Sequence, residues 1–253
     1  MEILNILLIL VTGTAAGFIN SVAGGGSLLS LPLLITLGYP SAVANGTNRI
    51  AIIIQDIIAV ANFKKKGYSS FKMSFKLGLP AIIGAIIGSN IAITVSDTVF
   101  NTVLAIVMVL MLIIIVFNPQ KRLMKNKNIK NMDHSFNKTL GYIIFFFIGL
   151  YGGFIQAGVG FLIITALAFL TGSDLVKISS IKVFIVAMYL IPSLLIFIIN
   201  GKVELITGLI LATGNGLGAW IGTSLAVKNG EKMVKAVIFI AILFMAGNLL
   251  GVY

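Results

Sequence analysis

The chain has 253 residues, of which 58% are hydrophobic and only 10% charged, and its mean hydropathy is +1.11. A water-soluble domain carries about 25% charged residues to solvate its surface, so a soluble globule and a disordered chain are both excluded and a hydrocarbon solvent is required. The formal net charge is +11, there is no cysteine for disulfides, thiol chemistry or thiolate metal sites, and a single histidine, His134, gives no basis for an imidazole metal site.

The apolar segments predict helices. In chain order the first runs from Ile3 to about Ile19 and is interrupted at Asn20 to Gly26 by polar residues and glycines. Ser27 to Leu37 follows, too short to cross about 30 Å of hydrocarbon at 1.5 Å per residue. After a turn at Gly38-Tyr39-Pro40-Ser41 come Ala42 to Phe63, Phe71 to Ala92 and Val99 to Phe117. The second half opens with Lys138 to Ile155, breaks at Gln156 to Gly160, and continues with a short Phe161 to Leu170. Leu175 to Ile199, Val203 to Val227 and Met233 to the C-terminus complete it. The runs are continuously apolar rather than alternating, which favours helices over a transmembrane barrel. Met1-Glu2-Ile3-Leu4 lacks a basic stretch, so no cleaved signal peptide is expected.

The two halves share one grammar, and adding 134 to a residue number maps one onto the other. Gly24, Gly26, Gly38, Gly67, Gly84 and Gly88 then meet Gly158, Gly160, Gly172, Gly201, Gly218 and Gly222. Lysine and arginine mark cytoplasmic loops. Lys64, Lys65, Lys66, Lys72 and Lys76 form one cluster, and Lys121 through Lys138 another. If the second repeat is inverted, all but Arg49, Lys182 and Lys202 of the 18 basic residues face the cytoplasm. The large positive charge is then an orientation signal and not a nucleic-acid footprint. The expected fold is an all-α polytopic membrane protein with about eight to ten membrane segments. Its two homologous, inverted repeats would occupy 1–118 and 138–253, joined by a basic cytoplasmic linker, 119–137, with both termini outside.

Broken helices in inverted repeats mark transporter binding sites. Asn20, Ser21, Gly24, Gly25 and Gly26 form one break, and Gln156, Gly158 and Gly160 the other. Free amides at a helix N-terminus suit an anion, and glycine lets it approach the backbone. Close helix packing is the competing reading, preferred for the G-x-x-x-G pairs Gly84/Gly88 and Gly218/Gly222. Asn45, Thr47, Asn48 and Arg49 lie early in the third segment, opposite Ser179, Ser180 and Lys182 in the second repeat. The two cations stand one residue out of register; a cation that deep suggests an anion pathway, and snorkelling is the alternative. Asp56, beside Gln55 in an isoleucine run, is a proton-coupling candidate or an ion-pair partner of Arg49. Its repeat equivalent is Leu190. Pro32, Pro80 and Pro192 are expected to kink or start helices.

The run Gly17-Phe18-Ile19-Asn20-Ser21-Val22-Ala23-Gly24-Gly25-Gly26-Ser27, with Pro32, Gly38 and Asn45-Gly46-Thr47-Asn48, resembles the first repeat of the TauE/SafE sulfite exporter family. That family is also called the 4-toluene sulfonate uptake permeases. Gly152-Gly153-Phe154-Ile155-Gln156-Ala157-Gly158-Val159-Gly160 resembles its second repeat. The resemblance implies a secondary transporter of a bacterial or archaeal inner membrane that moves sulfite, sulfoacetate or other organosulfonates, with direction left open. A channel for anions or small solutes is the alternative. No nucleophile–base pair and no nucleotide motif points to an enzyme, and no cofactor or metal is expected. The expected partners are a small sulfur-containing anion and the lipid bilayer, with a proton as candidate coupling ion and a homo-oligomer as an allowed state; nucleic acid is not among them.

Overall fold

The computed structural model describes residues 2–68, 70–117 and 138–249, with side-chain surroundings through residue 110 and over 138–229. The predicted linker, 119–137, and His134 lie outside the described residues. Nine helices and no strand occur among the described residues: α1 Ile3–Val22, α2 Ser27–Thr36, α3 Ser41–Lys65, α4 Phe71–Thr94, α5 Asp97–Phe117, α6 Lys138–Phe154, α7 Val159–Thr171, α8 Leu175–Ile199 and α9 Leu205–Leu249. Local chemistry sets several ends. The Asp174 side chain accepts from the Lys177 amide to cap α8 at 3.0 Å, and Lys64 and Lys65 oppose the dipole at the end of α3. Pro32, Pro80 and Pro192 lie inside α2, α4 and α8.

One expectation from the sequence does not hold. Val203–Val227 and the segment from Met233 do not form separate helices; α9 runs unbroken from Leu205 to Leu249. The polar stretch between them holds no proline, and one interior glycine, Gly230, costs a helix only about 1 kcal/mol.

Among the described residues four helical stretches are long and apolar enough to cross a membrane: α1, α4, α8 and Leu205–Asn229 of α9. Large apolar side chains face outward along them, including Leu7 and Val11 on α1, Ile83 and Ile87 on α4, and Leu217 and Trp220 on α9. That surface belongs in lipid, and the protein is an all-helical, polytopic membrane protein. Helix α3 is as long as α8 but is studded with polar residues, and these are buried in the interior.

Small residues fix how the helices meet. Helix α1 packs along α9, and α4 along α6. A Cβ on Gly17 would lie 2.1 Å from the Asn215 carbonyl oxygen, and one on Gly149 2.1 Å from that of Ala81. Gly218 and Gly84 sit equally close to the Thr14 and Phe146 carbonyls. Along each pair the contacts advance together, so α1 and α9 are parallel, as are α4 and α6. The G-x-x-x-G pairs therefore serve packing.

Helices α3 and α8, equivalent under the 134-residue register, run antiparallel. Gly46 and Arg49 on α3 meet Phe197 and Ser193 on α8. At the other end Val60 and Phe63 share a small void with Ser180 and Phe184. The backbone repeats as well. The glycines with left-handed φ among the described residues are Gly24, Gly38, Gly67, Gly158, Gly172 and Gly201, and they form three pairs in that register. Upstream of the breaks the packing contacts of α1 and α6 correspond at 132 rather than 134, as Gly17 and Gly149 show, so the second break is two residues longer.

Candidate functional site

The two breaks cross in the protein interior. A Cβ on Gly160 would lie 2.2 Å from the Gly24 Cα, and one on Gly24 2.4 Å from the Gly160 carbonyl carbon. Main chain lies against main chain there, and only glycine allows that approach.

A helix that stops inside hydrocarbon leaves its last carbonyls without partners, and no water can replace them. Here each broken helix is completed by the third helix of the other half. At the end of α6, Arg49 on α3 donates from Nη1 to the Gly152 carbonyl at 3.3 Å and from Nη2 to that of Gly153 at 2.6 Å. Asn45 donates to the next carbonyl, Phe154, at 2.8 Å. At the end of α1, Lys182 on α8 donates to the carbonyls of Asn20 and Ser21. Ser179 donates to the next, Val22, at 3.1 Å. Asn45 and Ser179 are register equivalents. The two cations stand one residue apart in that register yet reach equivalent carbonyls.

The surroundings of the two cations differ. Arg49 is fully buried, with Nη1 donating to Ser193 Oγ at 2.7 Å and Nη2 to Asn45 Oδ1 at 3.3 Å. Its guanidinium lies 4.5 Å from the Phe197 ring centroid. Ser89 bonds Ser193 and also reaches the Gly153 carbonyl. No carboxylate neutralises Arg49 among the described residues, and its Nε has no partner. Lys182, by contrast, shares its surroundings with Asp56 and interacts with it through space, without a direct ion pair. Gln55 donates to Asp56 Oδ1 at 2.7 Å and accepts from the Asn20 side chain at 3.2 Å. The alternative pairing of Asp56 with Arg49 is not formed.

The remaining candidates divide. Asn48 accepts from Ser30 at 2.7 Å while its own amide nitrogen is unpartnered. Gln156, with a left-handed φ of 63°, accepts from the Tyr189 hydroxyl at 3.0 Å. Gly158 caps the start of α7 with φ 72°. Ser21 donates from its own hydroxyl to the Phe18 carbonyl. The carbonyls of Gly25 and Gly26 accept from the amides of Leu28 and Leu29, and that of Gly158 from Phe161, so several first-turn amides of α2 and α7 are already engaged. Thr47 turns away and accepts from the Glu204 amide ahead of α9 at 2.9 Å. Ser180 bonds back to the Lys177 carbonyl. The polar groups thus gather at the C-terminal ends of α1 and α6. Tyr189, Ser193, Ser89 and Asn215 belong to these clusters and were not singled out from the sequence. Tyr189 could have been, because it is the register equivalent of Gln55.

A profile of the family described as "Sulfite exporter TauE/SafE" matches residues 9–249. The chain belongs to the TauE/SafE family. It is 28% identical to the "Probable membrane transporter protein YfcA" of Escherichia coli (strain K12), over 93% of this chain and 86% of that one. It is 22% identical to a "Probable membrane transporter protein" of Haemophilus influenzae, over 94% of this chain and 91% of that one. It is 25% identical to the "Probable membrane transporter protein ORF9" of Sinorhizobium sp, over 93% and 88%. No solved structure matches. This TauE/SafE protein is therefore a multi-pass cell-membrane transporter, from a family of membrane transporters rather than a class of enzymes.

Proposed function

We propose that this TauE/SafE protein is a secondary transporter of small sulfur-containing anions, namely sulfite, sulfoacetate or other organosulfonates. The inverted repeats 1–118 and 138–253 would rock against each other about the crossed breaks, with the basic 119–137 segment on the cytoplasmic side. One observation carries the anion reading. Among the described residues Arg49 is a fully buried cation with no carboxylate beside it and an unpartnered Nε–H, and Asn48, next to it in sequence, has an unpartnered amide donor. Buried charge without a counter-charge is costly, and the free donor on Arg49 calls for the oxygens of an anion. The family's name, sulfite exporter, supports the sulfur oxyanion class.

The test is counterflow of radiolabelled sulfite in proteoliposomes. A carrier shows saturable uptake that unlabelled sulfite inside the vesicles accelerates, and Arg49→Ala and Lys182→Ala, correctly inserted, lose it. Wild-type rates in both variants overturn the proposal, and so does unsaturable flux without counterflow.

A further inference from the structure

The buried polar atoms left without a hydrogen-bond partner among the described residues are Asn48 Nδ2, Arg49 Nε, Asp56 Oδ2 and Asn215 Oδ1. They sort by sign. The two donors are neighbours on one turn of α3 and belong to the anion reading. The two acceptors, on α3 and α9, meet at Gln55: its amide donates to Asp56 Oδ1 at 2.7 Å, and its oxygen accepts from Asn215 Nδ2 at 3.4 Å. Asp56 and Asn215 are each 1% exposed. We infer that Asp56 Oδ2 and Asn215 Oδ1 form a binding site for a small monovalent cation, a proton or a sodium ion, that moves with the anion.

A buried acceptor without a donor costs about 1–3 kcal/mol, and more when it is charged. No group among the described residues fills that need. Lys182 on α8 faces Asp56, but its ammonium is committed to the Asn20 and Ser21 carbonyls. Tyr189, also on α8, acts on Asp56 through space, but its hydroxyl is committed to Gln156. From α1 the group presented is Asn20, and from α9 Asn215; neither titrates.

The repeat removes the simplest alternative, that the pair is there for packing. In the 134-residue register Asp56 corresponds to Leu190 and Asn215 to Ala81, and both are fully buried in the core. The same architecture is built on that side without an acid or an amide. Two oxygens have been placed in one repeat only, where the fold does not require them. A cation bound there neutralises the carboxylate that faces Lys182. The change in charge is felt at the very carbonyls Lys182 holds, and through Gln55 at the Asn20 side chain. Occupancy of the site is thereby linked to the end of the broken helix α1.

The coupling rests on the transporter reading; cation binding does not, and the experiment separates them. Thermal unfolding of the purified full chain is followed while sodium chloride replaces choline chloride at constant ionic strength, and separately in choline as pH is lowered. The expected result is a rise of several degrees in one series, which identifies sodium or the proton. The response is lost in Asp56→Asn and weakened in Asn215→Ala, which keeps the carboxylate. A wild type indifferent to both series overturns the inference, as does an Asp56→Asn or an Asn215→Ala protein with the full response. In proteoliposomes, sulfite flux insensitive to imposed sodium and proton gradients overturns the coupling. Absent sulfite flux with an intact cation response overturns the transporter reading and leaves the cation site standing.

Discussion

Arg49 performs two tasks that substitution can separate. It completes the end of α6, and in the proposed function it would supply the charge and free donor for an anion. Arg49→Met removes both. The hydrogen bonds to the buried carbonyls of Gly152 and Gly153 are lost, the second keeping only Ser89, at about 1–3 kcal/mol for each lost bond. The loss of about 2–6 kcal/mol is a large share of a typical 5–15 kcal/mol stability. For a chain of this size each kcal/mol moves the midpoint by about 2–4 °C, so a drop on the order of 10 °C is expected. Arg49→Lys is the informative partner. An ammonium at this depth reaches two consecutive main-chain carbonyls in the other repeat, as Lys182 demonstrates. The lysine variant should therefore recover most of the lost stability. It cannot recover Nε or the planar fork, so sulfite affinity should fall about tenfold or more, the equivalent of about 1.4 kcal/mol. The assay is unfolding of the detergent-solubilised proteins by circular dichroism, paired with sulfite binding by calorimetry. The reasoning is refuted if Arg49→Met unfolds with wild type, or if Arg49→Lys binds sulfite as tightly as arginine does.

Gly160→Ala places a methyl 2.2 Å from the Gly24 Cα, with backbone on both sides and nothing free to give. A loss of about 1–3 kcal/mol or more is expected, whereas Gly26→Ala, also against main chain, should behave alike and any alanine on the exposed face of α4 should not; apparent midpoints decide it. Tyr189→Phe removes the hydroxyl that holds Gln156 while keeping the ring. It should cost about 1 kcal/mol and slow transport more than it lowers stability, measured as flux against midpoint. Lys66 and Asn200 are exposed register equivalents, and the chain has no cysteine. Single Lys66→Cys and Asn200→Cys proteins should react with a membrane-impermeant maleimide from opposite sides of the membrane; labelling from one side refutes inversion.

Much of the fold could be read from the residues, because the signals are local. Continuous apolar runs placed the helices to within about three residues, apart from the last, and three of the six glycine pairs that suggested a repeat are the positions with left-handed backbone. The final break failed because polarity alone does not end a helix that has no proline. The site was harder to read. Arg49, Lys182, Asn45 and Ser179 stood out as polar residues in apolar surroundings, but their partners are main-chain carbonyls in the other repeat, and a carbonyl has no signature in a sequence. The amide ends of α2 and α7 drew attention as anion sites because glycines mark them. The structure instead concentrates side-chain donors at the carbonyl ends of α1 and α6. Asn215 was hidden within an apolar segment, and its significance rests on being opposite Ala81 in the register.

The charge pattern follows from the break itself. Stopping a helix in hydrocarbon strands its last carbonyls, and the strongest donors available are cations. Each repeat sends one to the other, which also ties the halves together at the crossing. A cation used this way introduces a second problem, since its charge is buried too. At α1 the solution is internal: Asp56 faces Lys182, and that pocket is close to neutral when the carboxylate is free. At α6 no acid stands among the described residues, and the positive charge of Arg49 is uncompensated there. Leu190 in place of a second acid leaves the two ends unlike, an uncompensated cation at one and a carboxylate with an unpartnered oxygen at the other, and that asymmetry is what the proposed carriage of an anion together with a small cation would use.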